Sequence, residues 1–430
     1  MTRHAALPGF RDFYPEDVSR KKQIFDAWRE AARRFGFEEY DGPPLESLHL
    51  YVEKSGPEIV NQLFNFTDKG GREVALRPEM TPTLVRMLGA RIKELPRPIR
   101  WFSTSQMFRY EKQQRGRLRE HFQLNMDIVG ETSLLADADL LAAALEVHRL
   151  LGLSAEDVVA RISDRRLLQQ ALVAIGVSEE QLPTVYNVID KSEREPRDEC
   201  IKRLRDIGLS SEAAEQSLEL TTKSLDEFRR TYAGDESISR VLDELDQYLA
   251  ALSSFGFGDW VMFDPKIVRG LAYYTGVVFE IFDRKGRLRA ICGGGRYDDL
   301  FLALAGVDVP ALGFGFGDVV LGELLKDRGL ARQHERCADV CVIAVNDSMI
   351  QEALGIVADL RRAGLSVVFP YKRTGVGKAL KSAAGAGTRR AVLVGPDELA
   401  EGDIVLRDLT AGSEQRVKVR DLVAELVSAE

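Results

Sequence analysis

Four short stretches concentrate side chains that can act on a small charged molecule. In residues 101–130, WFSTSQMFRYEKQQRGRLREHFQLNMDIVG, Arg109 and Glu111 stand two positions apart, and Lys112, Arg115, Arg117 and Arg119 follow within a few residues. Beyond them Gln123, Asn125 and Asp127 alternate with Phe122, Leu124, Met126 and Ile128. Successive strand residues point to opposite faces, so the pattern predicts two strands joined by a charged turn. Arg109 and Glu111 are then expected on one face of the first strand, and three polar groups in a row on the second. Such a hairpin offers cations and carboxylates to one ligand, although a sheet with one solvated face and a basic loop accounts for the same pattern.

The second stretch, LRPEMTPT, places Glu79 and Thr81 where a strand gives way to a helix. A carboxylate at such a turn is free to bind an ammonium; the alternative is that Thr81 or Thr83 caps the helix. The third stretch groups a cation with two phenols, Arg269, Tyr273 and Tyr274. In the fourth, Gly293, Gly294 and Gly295 precede Arg296, Tyr297 and Asp298. Three glycines remove Cβ atoms where a ligand or another backbone comes close. They form no P-loop, because no Gly-Lys-Ser/Thr follows.

The elements that must carry these groups follow from periodicity. An amphipathic helix is expected over 17–35, with Phe25, Trp28, Ala32 and Phe35 at helical spacing. Pro43-Pro44 interrupts regular structure, and paired strands are expected at 61–69 and 72–77. A helix over 134–152 holds His148 within its apolar periodicity, which suits a core or interface histidine rather than a ligand, and a strand follows at 156–163. Residues 165–252 are charged, helical in pattern and poor in aromatics, and read as an insertion. Strands resume at 273–282 and 287–292, then a strand leads into a helix over 311–327. The spacing of Gly313, Gly315 and Gly317 falls short of a dinucleotide fingerprint and is attributed to close strand packing. After about residue 335, alternating strands and helices, followed by a hairpin-like pair and a terminal helix, predict a small α/β domain with a largely parallel sheet. Its basic set, Arg361, Arg362, Lys372, Arg373, Lys378, Lys381, Arg389 and Arg390, suits a phosphate backbone as well as solvated helix faces.

At 430 residues, with 45% hydrophobic and 29% charged, the chain has the composition of a globular protein of two or three domains. Its apolar runs fall well short of the roughly 18 residues of a membrane span, and the N-terminus lacks the apolar stretch of a signal peptide. A cytoplasmic location is therefore expected. Four scattered cysteines, Cys200, Cys292, Cys337 and Cys341, and five histidines suggest neither a disulfide framework nor structural zinc. A formal charge of −8 argues against indiscriminate nucleic-acid binding but leaves room for local basic patches.

Taken in order, the LPGFRDFYPED start, LRPEMTPT, the FRYE hairpin, RGLAYY, GGGRYD and the 311–327 strand and helix resemble the class II aminoacyl-tRNA synthetases, and within them the histidyl-tRNA synthetases. The resemblance spans nearly the whole chain. It implies an α/β protein built as an α+β catalytic domain with an antiparallel sheet, in two parts, 1–164 and 253–330. A helical insertion at 165–252 lies between them, and an anticodon-binding domain occupies 337–430. The implied activity is ATP-dependent activation of histidine, with Mg²⁺, and transfer to tRNA(His) by a homodimer whose motif-1-like segment, near Pro44, forms the interface.

By the same resemblance Arg109 and Arg269 are the catalytic cations. ATP is implied to meet Arg109, Glu111, Arg117 and His121. Histidine is implied to meet Glu79, Thr81 and Gln123 through its ammonium, and Asp127 and Tyr274, with Tyr273 and Tyr297, through its ring. Gln114 lies where the acceptor end of tRNA would approach. No metal site from protein groups alone is expected. Four positions depart from the family pattern: Asp127 replaces Glu, Val320 an arginine, His121 a stacking Phe, and Ala272 an Asp. Either adenine is held by remodelled surfaces or ATP binding has weakened. Loss of an arginine at 320 also suits a histidine-binding paralogue that charges no tRNA, the regulatory subunit of ATP phosphoribosyltransferase. The preserved arginines and the domain after residue 335 favour the ligase.

Overall fold

The computed structural model describes residues 4–112, 114–269, 273–334, 338–372 and 374–427; positions 270–272 of RGLAYY, Cys337 and Arg373 lie outside them. The chain forms two compact units, Met1–Arg332 and Gln333–Glu430.

The first unit is built on an eight-stranded sheet. In sheet order its strands are Glu38–Glu39, Ile99–Phe108, Glu120–Val129, Ala311–Gly317, Cys292–Arg296, Val277–Asp283, Val158–Asp164 and Val261–Phe263. The six central strands run antiparallel, and each edge strand runs parallel to its neighbour. Leu124, Met126 and Ile128 face helices Pro15–Arg34, Leu134–Leu150 and Glu236–Ser254 in the main core. His148 belongs to that side: it is fully buried, with Nδ1 3.0 Å from the Ala144 carbonyl oxygen and its ring stacked on Phe316.

The opposite face is not solvated. Helices Thr81–Arg91 and Leu300–Ala305 pack against it with Ile99, Val129, Tyr274 and Tyr297, so Asn125 and Asp127 are buried. This excludes the solvated-face alternative, and a polar row enclosed on both sides needs partners. Helices from Arg165–Ala174 to Glu236–Ser254 surround a core of their own.

Several local expectations change. The first hairpin strand stops at Phe108, so Arg109 and Glu111 lie beyond it rather than on one strand face. The strand expected at 287–292 runs instead over Cys292–Arg296, which puts the glycines inside the sheet. The cause is Asp283, whose carboxylate accepts from the Lys285 and Arg287 amides at 3.1 and 3.3 Å and draws the intervening chain into a broad turn. Neither Thr81 nor Thr83 caps the helix that begins at Thr81: the N-cap is Met80, and the buried Thr83 hydroxyl donates to Glu46 at 3.1 Å.

In the second unit the sheet order is Val367–Val368, Val340–Ala344, Arg390–Val394, Asp403–Asp408 and Glu414–Lys418. The first three strands are parallel, and the last two pairings are antiparallel, so the sheet is mixed rather than largely parallel. The single five-residue helix Pro396–Ala400 is too short to carry the chain back for another parallel crossover. Of the basic residues, Arg361 donates to the Val367 carbonyl, Arg362 pairs with Asp359 and Arg390 donates to the Leu426 carbonyl, whereas Tyr371 is 91% exposed.

Candidate active site

The site is assembled where four strands end or bend on the enclosed face. Past Phe108 the chain is tied to the 77–79 turn: the Phe108 amide donates to the Arg77 carbonyl at 2.9 Å, and Arg109 Nε donates to the Pro78 carbonyl at 3.0 Å. Arg109 is thereby held beside Glu79. The turn that follows closes on itself, with Gln114 and Arg117 exchanging backbone hydrogen bonds and Arg117 gripping Glu111 through both carboxylate oxygens.

Two adjoining cavities result. The smaller, of about 80 Å³, is lined by Glu79, Thr81, Gln123, Asn125, Asp127, Tyr273, Tyr274 and Tyr297, together with Arg109 and Arg269. The larger, of about 710 Å³, is lined by Glu111, Arg117, His121, Glu280, Arg289 and Val320, and again by Glu79, Gln123, Arg109 and Arg269. The structure thus gathers the residues expected to bind histidine in one small polar chamber and those expected to bind ATP in its larger neighbour. Arg109 and Arg269, expected to be the catalytic cations, stand at the junction. Gln114 is exposed beside the larger cavity and accepts from Arg289 Nη2.

Glycines make room for this floor. A Cβ on Gly313 would lie 2.0 Å from Asp127 Oδ1, one on Gly315 2.4 Å from Gln123 Nε2, and one on Gly293 2.0 Å from Arg269 Nη1. Gly313 and Gly315 thus leave room for side chains of the neighbouring strand as well as for its backbone, with the Met126 carbonyl oxygen 3.0 Å from a Cβ on Gly313, and Gly293 leaves room for Arg269. Arg269 is also the non-glycine residue with positive φ (54°) among the described residues, a conformation that costs energy and is held by its surroundings. Its guanidinium sits 2.5 Å from Glu280.

Electrostatics distinguishes the chambers. Burial lifts the Asp127 carboxyl from its usual range to about 7, opposed by the hydroxyl of Tyr297, which donates to Oδ1. Burial and then the charges of Arg109, Arg11 and Arg117 depress the His121 imidazole to about 3, so it is neutral. Asn125 Oδ1 is buried without a hydrogen-bond partner beside Asp127, an acceptor available to a ligand.

Lys54, Asn125, Glu280 and Arg289 were not anticipated as site residues. Glu280 carries a signal in hindsight, a carboxylate inside the apolar run VVFEIF; Lys54 and Arg289 carry none. Lys54, from helix Leu48–Ser55, has a fully buried side chain with its ammonium 2.5 Å from Glu79 Oε2. Glu79 thus holds an ammonium of the protein's own, with Oε2 engaged.

Residues 9–317 match the family model described as histidyl-tRNA synthetase, and residues 339–429 match an anticodon binding domain. The chain belongs to the histidyl-tRNA synthetase family. Histidine–tRNA ligase of Opitutus terrae is 44% identical over the full length of both chains. The chloroplastic/mitochondrial histidine–tRNA ligase of Arabidopsis thaliana is 41% identical across 96% of this chain and 85% of its own. Among solved structures, histidyl-tRNA synthetase from Nostoc sp. PCC 7120 superposes over both full chains with a TM-score of 0.84 at 24% identity, a likeness of fold. In this histidyl-tRNA synthetase family member, no helix among the described residues is long and apolar enough to cross a membrane.

Proposed function

We propose that this chain is a histidine–tRNA ligase that activates histidine with ATP and passes it to the 3′ end of tRNA(His). The observation that carries the assignment of roles is the position of Arg109 and Arg269, which line both cavities where they meet. With histidine in the small chamber and ATP in the large one, that junction is where the carboxylate meets the α-phosphate.

In the first step a carboxylate oxygen attacks the α-phosphorus, the bond to the bridging oxygen breaks, and pyrophosphate leaves with its electrons. Fixed cations stabilise the charge that gathers on the phosphate oxygens. Glu79 through Oε1, Thr81 and Gln123 serve the ammonium. Asp127, oriented by Tyr297, and Tyr274 serve the imidazole, whose neutral ring has one donor and one acceptor. Tyr273 closes the chamber. A buried polar pair of this kind rejects rings that cannot hydrogen-bond. In the second step a hydroxyl of the terminal adenosine attacks the acyl carbon and AMP departs; Gln114 stands on the side from which that end approaches.

Among the described residues no group of three His, Cys, Asp or Glu side chains is placed to hold a metal. Glu111 and Glu280 are carboxylates facing the larger cavity, a donor set that fits Mg²⁺ bound mainly through phosphate oxygens. Bound there, Mg²⁺ would neutralise phosphate charge. Our reading includes a cytoplasmic homodimer joined near Pro44.

Histidine-dependent ATP–pyrophosphate exchange by the purified chain tests the proposal. Exchange above background is expected with histidine and not with phenylalanine. Histidine binding without exchange would favour the regulatory paralogue and reject the ligase.

A further inference from the structure

The larger cavity holds more positive charge than its own carboxylates compensate. Arg117 is matched by Glu111, Arg269 by Glu280 and Lys266 by Glu193. Among the described residues Arg109, Arg194 and Arg289 of the same lining form no ion pair, and of these Arg289 is the one whose guanidinium is held by the side chain of Gln114. Arg289 stands in the broad turn after Asp283, half-buried in the cavity wall, and Nη2 donates to the neutral side-chain oxygen of Gln114. Its charged neighbours are Arg117, Arg194 and Glu111, and that carboxylate is already held by Arg117.

Two further contacts locate it. A Cβ on Gly116 would lie 3.3 Å from Val320 Cγ2 and 3.9 Å from Arg289 Cδ, so both side chains pack against the same turn. Val320 presents an apolar surface there, and Arg289 supplies the charge beside it. Arg289 lines the larger cavity and not the smaller, whereas Arg109 and Arg269 line both. A half-buried guanidinium between two other arginines, with one neutral acceptor, has donors left for a multiply charged anion.

We propose that Arg289, in the turn before the glycine strand and beside the apolar surface of Val320, binds the outer phosphates of the nucleoside triphosphate. This rests on the reading of the larger cavity as the nucleotide site. Its planar fork spans two phosphate oxygens, and Gln114 keeps the guanidinium oriented before the nucleotide arrives.

The test is calorimetric titration of the full chain and its Arg289→Ala and Arg289→Lys variants with ATP, inorganic pyrophosphate, AMP and histidine at one ionic strength and magnesium concentration. Arg289→Ala is expected to weaken ATP and pyrophosphate about tenfold or more, the size of a lost charge-assisted hydrogen bond. AMP and histidine are expected to bind unchanged, and Arg289→Lys to fall between. Unchanged ATP and pyrophosphate affinities would overturn the proposal, and so would an equal loss for AMP or histidine, which marks a packing role. If the parent chain binds ATP yet supports no exchange, the ligase reading fails while the affinity ratios still judge Arg289. If it binds no ATP, both fail.

Discussion

The ammonium of Lys54 lies 2.5 Å from Glu79 Oε2 and 4.5 Å from the ring centroid of Tyr273, two residues that line the chamber assigned to histidine. Removing one partner of a buried ion pair leaves the other charge uncompensated, at a cost of about 3 kcal/mol or more. Lys54→Met is therefore expected to lower the melting temperature of the ligand-free chain. Histidine brings its own ammonium to Glu79, so it is expected to raise the melting temperature of Lys54→Met more than that of the parent. A smaller or equal rise, read by scanning calorimetry, would mean that Glu79 does not hold the substrate ammonium.

Gly293 separates stability from activation. The Cβ of Gly293→Ala would meet the tip of Arg269, a flexible end that can move aside, so little change in melting temperature is expected. Displacing a cation aimed at developing charge is worth about 100-fold in rate. ATP–pyrophosphate exchange should fall by that order while histidine affinity changes less than threefold by about the same reasoning. Loss of histidine binding in proportion would move Arg269 out of its catalytic assignment.

Asp127 gives a pH signature. Its carboxyl sits at about 7 against an ordinary 3.8, because burial disfavours the charge, and the folded state therefore binds more protons than the unfolded one between those values. Its contribution is fully present below pH 4 and is lost as pH rises toward 7, by up to about 4 kcal/mol. Asp127→Asn keeps the shape and carries no charge. Its melting temperature relative to the parent is expected to climb from pH 5 to pH 8, while histidine-dependent exchange drops. A pH-independent difference would show that the burial cost is met by another group.

Much of the architecture is legible because it is local. Alternation in 120–129 marks a strand, helical spacing marks the first helix, and the short connections of the C-terminal unit leave few ways to join its elements. Element ends are less legible. The strand bearing Gly293 starts five residues later than its pattern suggests, because the carboxylate of Asp283 organises a turn that no periodicity announces.

The sequence by itself determined which residue types the site uses, through blocks such as LRPEMTPT, FRYE and GGGRYD, and which family the chain resembles. Only the tertiary structure decided who meets whom. Strands 120–129, 311–317 and 292–296 are neighbours in the sheet although residues 130–291 of the chain lie between the first and the others, and that packing lays Asp127 over Gly313 and brings Arg269 over Gly293. It also buries Lys54 against Glu79 and brings Arg289 beside Val320. Periodicity reports the face a side chain takes on its own element; contacts between elements depend on strand order and packing, which local pattern does not encode.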